Sequence, residues 1–191
     1  MRVLLIDPDP ARAALVGEGL KDIRPLEVRQ VAALDEAEIS AFAPDVIVID
    51  CDSPDRDTLE SLRSATAANP RPVVMFTDRS APGLAEASIE AGVAAYVVDG
   101  LSPKRVRPVL EVALMRFQLM QKLRGDLAKA QADLAARKTI DRAKGLLMKE
   151  RGFDEDAAYQ LLRKLAMDSG RPLAAVAADL VAYANVLKGG S

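Results

Sequence analysis

The sequence predicts an α/β fold: a doubly wound, five-stranded parallel sheet, then a long coiled-coil helix and a small C-terminal three-helix bundle. Three observations carry this expectation. Five short apolar runs alternate with helical segments across the first hundred residues. From about Ser102 to Arg151 no strand signal occurs and Gly and Pro are few. After that, two amphipathic segments are punctuated by Gly152, Gly170 and Pro172.

Taken in order, "RVLLI" is a continuous apolar run and reads as a strand buried on both faces. "ARAALVGEGLK" is helical, and "LEVRQV" alternates as a strand does. "DEAEISAFA" is a short helix with an Asp at its start. "DVIVID" is the strongest buried strand. "PDRDTLESLRSATAAN", 54–69, is a helix opening on Pro54. "PVVMFT" is a strand, "APGLAEASIEAG" a helix stopped by Gly92, and "AAYVV" the fifth strand. Sheets of this kind place their sites beyond the carboxyl ends of the strands. Asp7, Asp9, Asp50, Asp52, Thr77 and Asp99 fall there.

Pro103 suits the first turn of the long helix. Its apolar positions Val106, Leu110, Ala113, Phe117 and Met120 continue as Leu123, Leu127, Ala130 and Leu134, with a phase break at Met120. About 48 helical residues span roughly 70 Å, and such a stripe needs a partner. A parallel homodimer over 110–136 supplies one, and packing against the first domain is the alternative. "DEDAAYQLLRKLAMDSG" is the next helix, capped by Asp154 and stopped by Gly170. "PLAAVAADLVAYANVLKGG", running to Gly190, is the last. The expected domains are 1–103, a coiled-coil linker 104–136, and a helical domain 137–188.

Composition narrows the chemistry. The 191 residues contain no His and one Cys, Cys51, so the commonest general base, a thiolate cluster and an intramolecular disulfide are excluded. No apolar run approaches the ~18 residues of a membrane span, and the expectation is a cytoplasmic protein. Net charge is −2, unevenly spread. Residues 1–120 carry 13 basic and 19 acidic side chains, and residues 137–191 carry 10 and 7. An acidic front and a mildly basic tail suggest two tasks on one chain.

Asp7, Asp50 in "VIVIDCDSP" and Thr77 in "VVMFTD" together resemble a receiver domain of two-component signalling, a flavodoxin-like fold. The resemblance implies Asp50 as phosphoacceptor, Thr77 as the accompanying hydroxyl and Asp7 as one acid of a metal-holding pair. Two departures stand against phosphorylation. Pro8 replaces the second acid, and Asp99 followed by Gly100 replaces the expected lysine and proline. Phosphoryl transfer relies on a metal ion and a cation to neutralise charge, and both are weakened. The expectation is a pseudo-receiver with no required cofactor. Weak Mg²⁺ binding at Asp7, Asp9 and Asp50 stays open, because crowded acids repel unless cations or protons intervene. Cys51 and Thr77 read as packing residues.

The stretch "TIDRAKGLLMKERGFDEDAAYQLLRKLAMDSGRPLAAVA" resembles the ANTAR domain of AmiR/NasR-type transcription antiterminators, through "AKGLLM", "EDAAY", "LLRKLAM" and "LAAVA". With the receiver shell and the helix, the whole chain resembles NasT-type regulators. The resemblance implies binding to leader RNA with paired hexanucleotide stem-loops, a nitrate/nitrite-sensing inhibitory partner (NasS-like), control of nitrate assimilation genes, and no catalysis. A phosphorylation-dependent response regulator with RNA- or DNA-binding output is the alternative. Arg137, Lys138, Arg142, Lys144, Lys149, Arg163, Lys164 and Arg171 are the basic side chains available for phosphates. Tyr159 either stacks on a loop base or belongs to the core. Leu146, Leu147, Leu161, Leu162, Leu165 and Met167 read as bundle core. Gly145 costs a helix about 1 kcal/mol relative to Ala, which points to close approach of a backbone, from a neighbouring helix or from RNA.

Overall fold

The computed structural model describes residues 1–67, 70–79 and 81–189. The predicted end of the helix at 68–69 and the last predicted helical residue, Gly190, lie outside them. The chain divides into two compact units, Met1–Gln121 and Lys122–Ser191.

In the first unit five strands alternate with helices: β1 (Arg2–Ile6), α1 (Ala11–Gly19), β2 (Glu27–Val31), α2 (Glu36–Phe42), β3 (Val46–Cys51), α3 (Arg56–Ala67), β4 (Val73–Thr77), α4 (Leu84–Glu90) and β5 (Ala95–Val98). All pairings are parallel, in the order β2-β1-β3-β4-β5. Alternation along each strand splits the core into two layers, because successive side chains leave opposite faces. Val3, Leu5, Val46, Val48, Val74 and Phe76 meet Val16 of α1 and Leu20 just after it. Leu4, Ile6, Ile47, Ile49 and Met75 meet Ile39, Phe42 and Leu62 from α2 and α3. The predicted doubly wound sheet is therefore present. Asp35 caps α2, accepting from the Ala37 amide, as its place before the helix predicts.

The helix α5 (Pro103–Arg151) begins on Pro103 as predicted and holds Pro108 in its second turn. Its apolar stripe is not the single seam the sequence suggests. Val106, Leu110 and Ala113 are buried in the first layer, beside Val16 and Leu20. A coiled coil starting at Leu110 is thereby corrected, since these side chains are committed to the sheet. In the second unit's part of α5, Leu123, Leu127 and Leu134 are exposed and recur at intervals of four and seven, on one face. Gly19 makes room for the start of α5. A Cβ there would lie 2.6 Å from the Pro103 carbonyl oxygen and 2.9 Å from Val106 Cβ.

In the second unit, the end of α5 packs with α6 (Glu155–Ser169) and α7 (Leu173–Gly189). Ala143, Leu147, Ala158, Leu162, Ala177 and Val181 form its core. Gly152 at φ +69° and Gly170 at φ +62° occupy left-handed positions that end α5 and α6. Asp154 caps α6, accepting from the Ala157 amide at 2.7 Å. Leu165 and Met167, expected in the core, are exposed; Met167 faces away from the stripe that Ala158, Leu162 and Ala166 turn inward, and Leu165 lies at its edge.

Candidate functional site

The first unit gathers its acids where the strands end. Asp7 follows β1 and is 6% exposed; Asp50 sits within the end of β3 and is 5% exposed; Thr77, closing β4, is fully buried. The β1–α1 turn is held by its own hydrogen bonds. The Asp9 amide donates to Asp7 Oδ1 at 2.6 Å, and the Ala11 amide donates to Asp9 Oδ1 at 2.9 Å. Gln30 Nε2, from β2, donates to the carbonyls of both Asp7 and Asp9. The Asp9 carboxylate is thus turned to the start of α1, and Asp9 is exposed.

That turn delivers Arg12, a residue the sequence reading passed over. Its Nη1 lies 3.1 Å from Asp50 Oδ2, and its Nε 3.8 Å from Asp7 Oδ2. Asp50 Oδ2 and Thr77 Oγ1 are buried without a hydrogen-bond partner among the described residues, so the close Arg12 contact is an ion pair out of line for a hydrogen bond. Burial pushes the Asp50 carboxyl up to about 6; Arg12 opposes this, while Asp7 and Asp78 add to it. Burial also pushes the Cys51 thiol up to about 11, helped by Asp50 and Asp52. A thiol held that high is not a nucleophile at neutral pH.

The remaining predicted acids stand apart. Asp52 is exposed, with its carbonyl accepting from the Arg79 amide. Asp99 is exposed and sits at φ +72°. The Arg105 guanidinium, from α5, donates to the carbonyls of Val98, Asp99 and Gly100 and fixes this loop. Gly100 leaves room for Asp78, whose Oδ1 would lie 2.6 Å from a Cβ at that position. Asp78, just after β4, adds to the negative charge felt by Asp50.

A receiver-like fold implies a divalent ion at these strand ends, and the donors present do not fit one. Mg²⁺ demands near-octahedral oxygen donors. Pro8 contributes none, Asp9 Oδ1 accepts from the Ala11 amide, and a guanidinium stands against Asp7 and Asp50. Among the described residues no group of three or more carboxylates or thiols comes together to hold a metal.

In the second unit the eight basic side chains among the expected RNA contacts separate into two sets. Lys144 bridges Asp141 at 2.9 Å and Glu155 at 2.8 Å, tying the end of α5 to the start of α6. Arg171 pairs with Asp179 at 2.7 Å. Arg137, Lys138, Arg142, Lys149, Arg163 and Lys164 are exposed and make no ion pair among the described residues. Lys138, Arg142 and Lys149 recur at intervals of four and seven, which places them on one face of α5. Gly145 lies between them on that face, exposed, and a Cβ there would meet nothing within 4 Å. A neighbouring helix of this chain therefore does not account for the glycine. On α6, Tyr159 is 39% exposed, one turn before Arg163.

Comparison with known proteins agrees with this division. Residues 128–181 match the family model for the ANTAR domain. The chain is 33% identical over 125 residues to the transcriptional regulatory protein PdtaR of Mycobacterium tuberculosis, covering 65% of this chain and 61% of that one. It is 31% identical over 116 residues to the aliphatic amidase regulator of Pseudomonas aeruginosa, covering 60% and 59%. A nitrate regulatory protein of Klebsiella oxytoca is 32% identical over 83 residues, covering 44% and 21%. The alignments span about three fifths of the first two relatives. Among solved structures, the signal receiver domain of a putative LuxO repressor from Vibrio parahaemolyticus shares the fold, with a TM-score of 0.52 and 21% identity over 64% of this chain and 95% of that one. Among the described residues no helix is long and apolar enough to cross a membrane.

Proposed function

From the premise that this chain carries an ANTAR domain behind a receiver-like fold, we propose that it regulates transcription by binding leader RNA and preventing termination. The observation that carries the proposal is the face of α5 bearing Lys138, Arg142 and Lys149 around an open Gly145. Three unpaired cations on one helix face suit a phosphate backbone, because each phosphate neutralised releases counterions. The missing Cβ lets that backbone approach the helix between them. Tyr159 and Arg163 extend the surface with a ring and a guanidinium on which unstacked bases can lie.

The action is binding without a reaction. Occupying paired stem-loops keeps the downstream terminator stem from forming. Two copies joined through the exposed face of Leu123, Leu127 and Leu134 present two bundles to two hairpins. The receiver-like unit, with its acids paired to Arg12, is the part addressed by an inhibitory partner protein that senses nitrate or nitrite. The nitrate regulatory protein of Klebsiella oxytoca favours nitrate genes as the target, and release of the partner by the ligand frees the RNA-binding surface.

The test is binding to a two-hairpin leader RNA and to an unrelated RNA of equal length, across a salt series. The wild type should prefer the leader. Replacing Lys138, Arg142 and Lys149 together by Ala should weaken binding and flatten the log-log salt slope by about 2 to 3. Gly145→Ala should weaken binding while stabilising the helix by about 1 kcal/mol. Wild-type affinity and slope in the triple variant would refute this surface.

A further inference from the structure

We propose that Arg12 is the built-in cation of the strand-end pocket: its guanidinium holds Asp7 and Asp50 together in place of a divalent ion, so the pocket assembles without metal. This inference does not depend on the RNA reading.

Two buried carboxylates on neighbouring strands repel unless a positive charge lies between them. The turn leaving β1 supplies that charge from within the chain. Asp9 commits its carboxylate to the Ala11 amide, opening α1 so that Arg12 falls in the first helical turn. Gln30 clamps the carbonyls on either side of Pro8, which fixes the direction in which that turn leaves. Asp7 Oδ1 accepts from the Asp9 amide, leaving Oδ2 to face Arg12. Each of these groups has a defined partner, and together they aim one guanidinium at both acids.

Arg suits the task better than a bound ion would. It is charged at every accessible pH, and its planar fork can meet two carboxylates at once. The Arg12 side chain is 29% exposed, so most of it is enclosed beside Asp50. A Mg²⁺ ion entering the pocket would have to displace the guanidinium or bind beside a like charge. With Pro8 in place of a second acid, the oxygen donors offer little to offset that cost. Arg12 is thus a positioning residue: it sets the spacing of Asp7 and Asp50 and keeps the pocket indifferent to divalent ions.

The experiment is a calorimetric and thermal-melting titration of the full chain with MgCl₂. The wild type should give no saturable heat and an unchanged melting temperature at millimolar Mg²⁺. Arg12→Ala should melt lower without Mg²⁺, regain stability as Mg²⁺ is added, and bind the ion at least about tenfold more tightly than the wild type. Arg12→Lys should remain insensitive to Mg²⁺. The double variant R12A/D50N should lose the acquired response. If R12A does not fold, Arg12→Gln carries the same expectations. Saturable Mg²⁺ binding of equal strength in the wild type and R12A would overturn the assignment, as would an R12A protein that melts like the wild type and ignores the ion.

Discussion

Replacing Asp50 by Asn isolates the energetic consequence of a buried charge while leaving the side-chain shape unchanged. Asp50 is 5% exposed, and its carboxyl is pushed from 3.8 up to about 6, by burial before all else, against the pull of Arg12. The folded chain therefore holds this proton more tightly than the unfolded chain does. Ionising Asp50 costs the folded state nothing below pH 3.8, progressively more as pH rises, and its full amount above about pH 6. That displacement corresponds to about 3 kcal/mol, with the Arg12 attraction already inside the net value. The amide of the D50N variant stays neutral throughout. The stability difference, D50N minus wild type, should grow by up to about 3 kcal/mol between pH 4 and pH 7 and then level off. Urea titrations read through hydrogen exchange of the β1 and β3 amides confine the measurement to the first unit. A difference that stays flat across this pH range would refute the reasoning, because Asp50 would then ionise as freely folded as unfolded.

Gly19→Ala drives a methyl group to 2.6 Å from the Pro103 carbonyl oxygen, where backbone cannot yield cheaply; about 1–3 kcal/mol should be lost, measured as a lower urea midpoint of the first unit. Leu123→Asp combined with Leu127→Asp changes two exposed side chains, so the folded monomer should shift by no more than about 0.5 kcal/mol per site. The same pair of changes should convert a dimer into a monomer in light scattering, and an unchanged mass would place the seam elsewhere.

What the sequence made legible follows from the range of the forces involved. β3 and β4 were readable because "VIVID" and "VVMFT" are continuous apolar runs, which only a sheet covered on both faces accommodates. The starts of α2 and α6 were readable because Asp35 and Asp154 satisfy helix amides locally. Arg12 was not, because its meaning depends on Asp50, distant in the chain and brought near only by the parallel pairing of β1 with β3. The local hint was the Asp9–Pro10 start of α1, which puts residue 12 in a first turn behind the strand ends. The exposure of Asp99 was not legible, because counting along a strand gives the order of residues but not the turn by which the loop departs. The α5 stripe was ambiguous for a related reason: a repeat of threes and fours looks the same whether it meets a sheet or a second helix. Charge counting likewise could not separate Lys144 and Arg171 from the unpaired cations, although the spacing of three from Asp141 to Lys144 is a usable signal.

The loop after β5 bears on whether position 99 could bring a positive charge to the strand-end pocket. A lysine installed at position 99 would inherit a left-handed backbone and the exposure of Asp99, with three successive carbonyls already gripped by Arg105. Bringing a cation from this loop to bear on Asp50 would mean giving up the Arg105 hydrogen bonds and the left-handed backbone at 99 and 100 together, so the loop behaves as one locked unit.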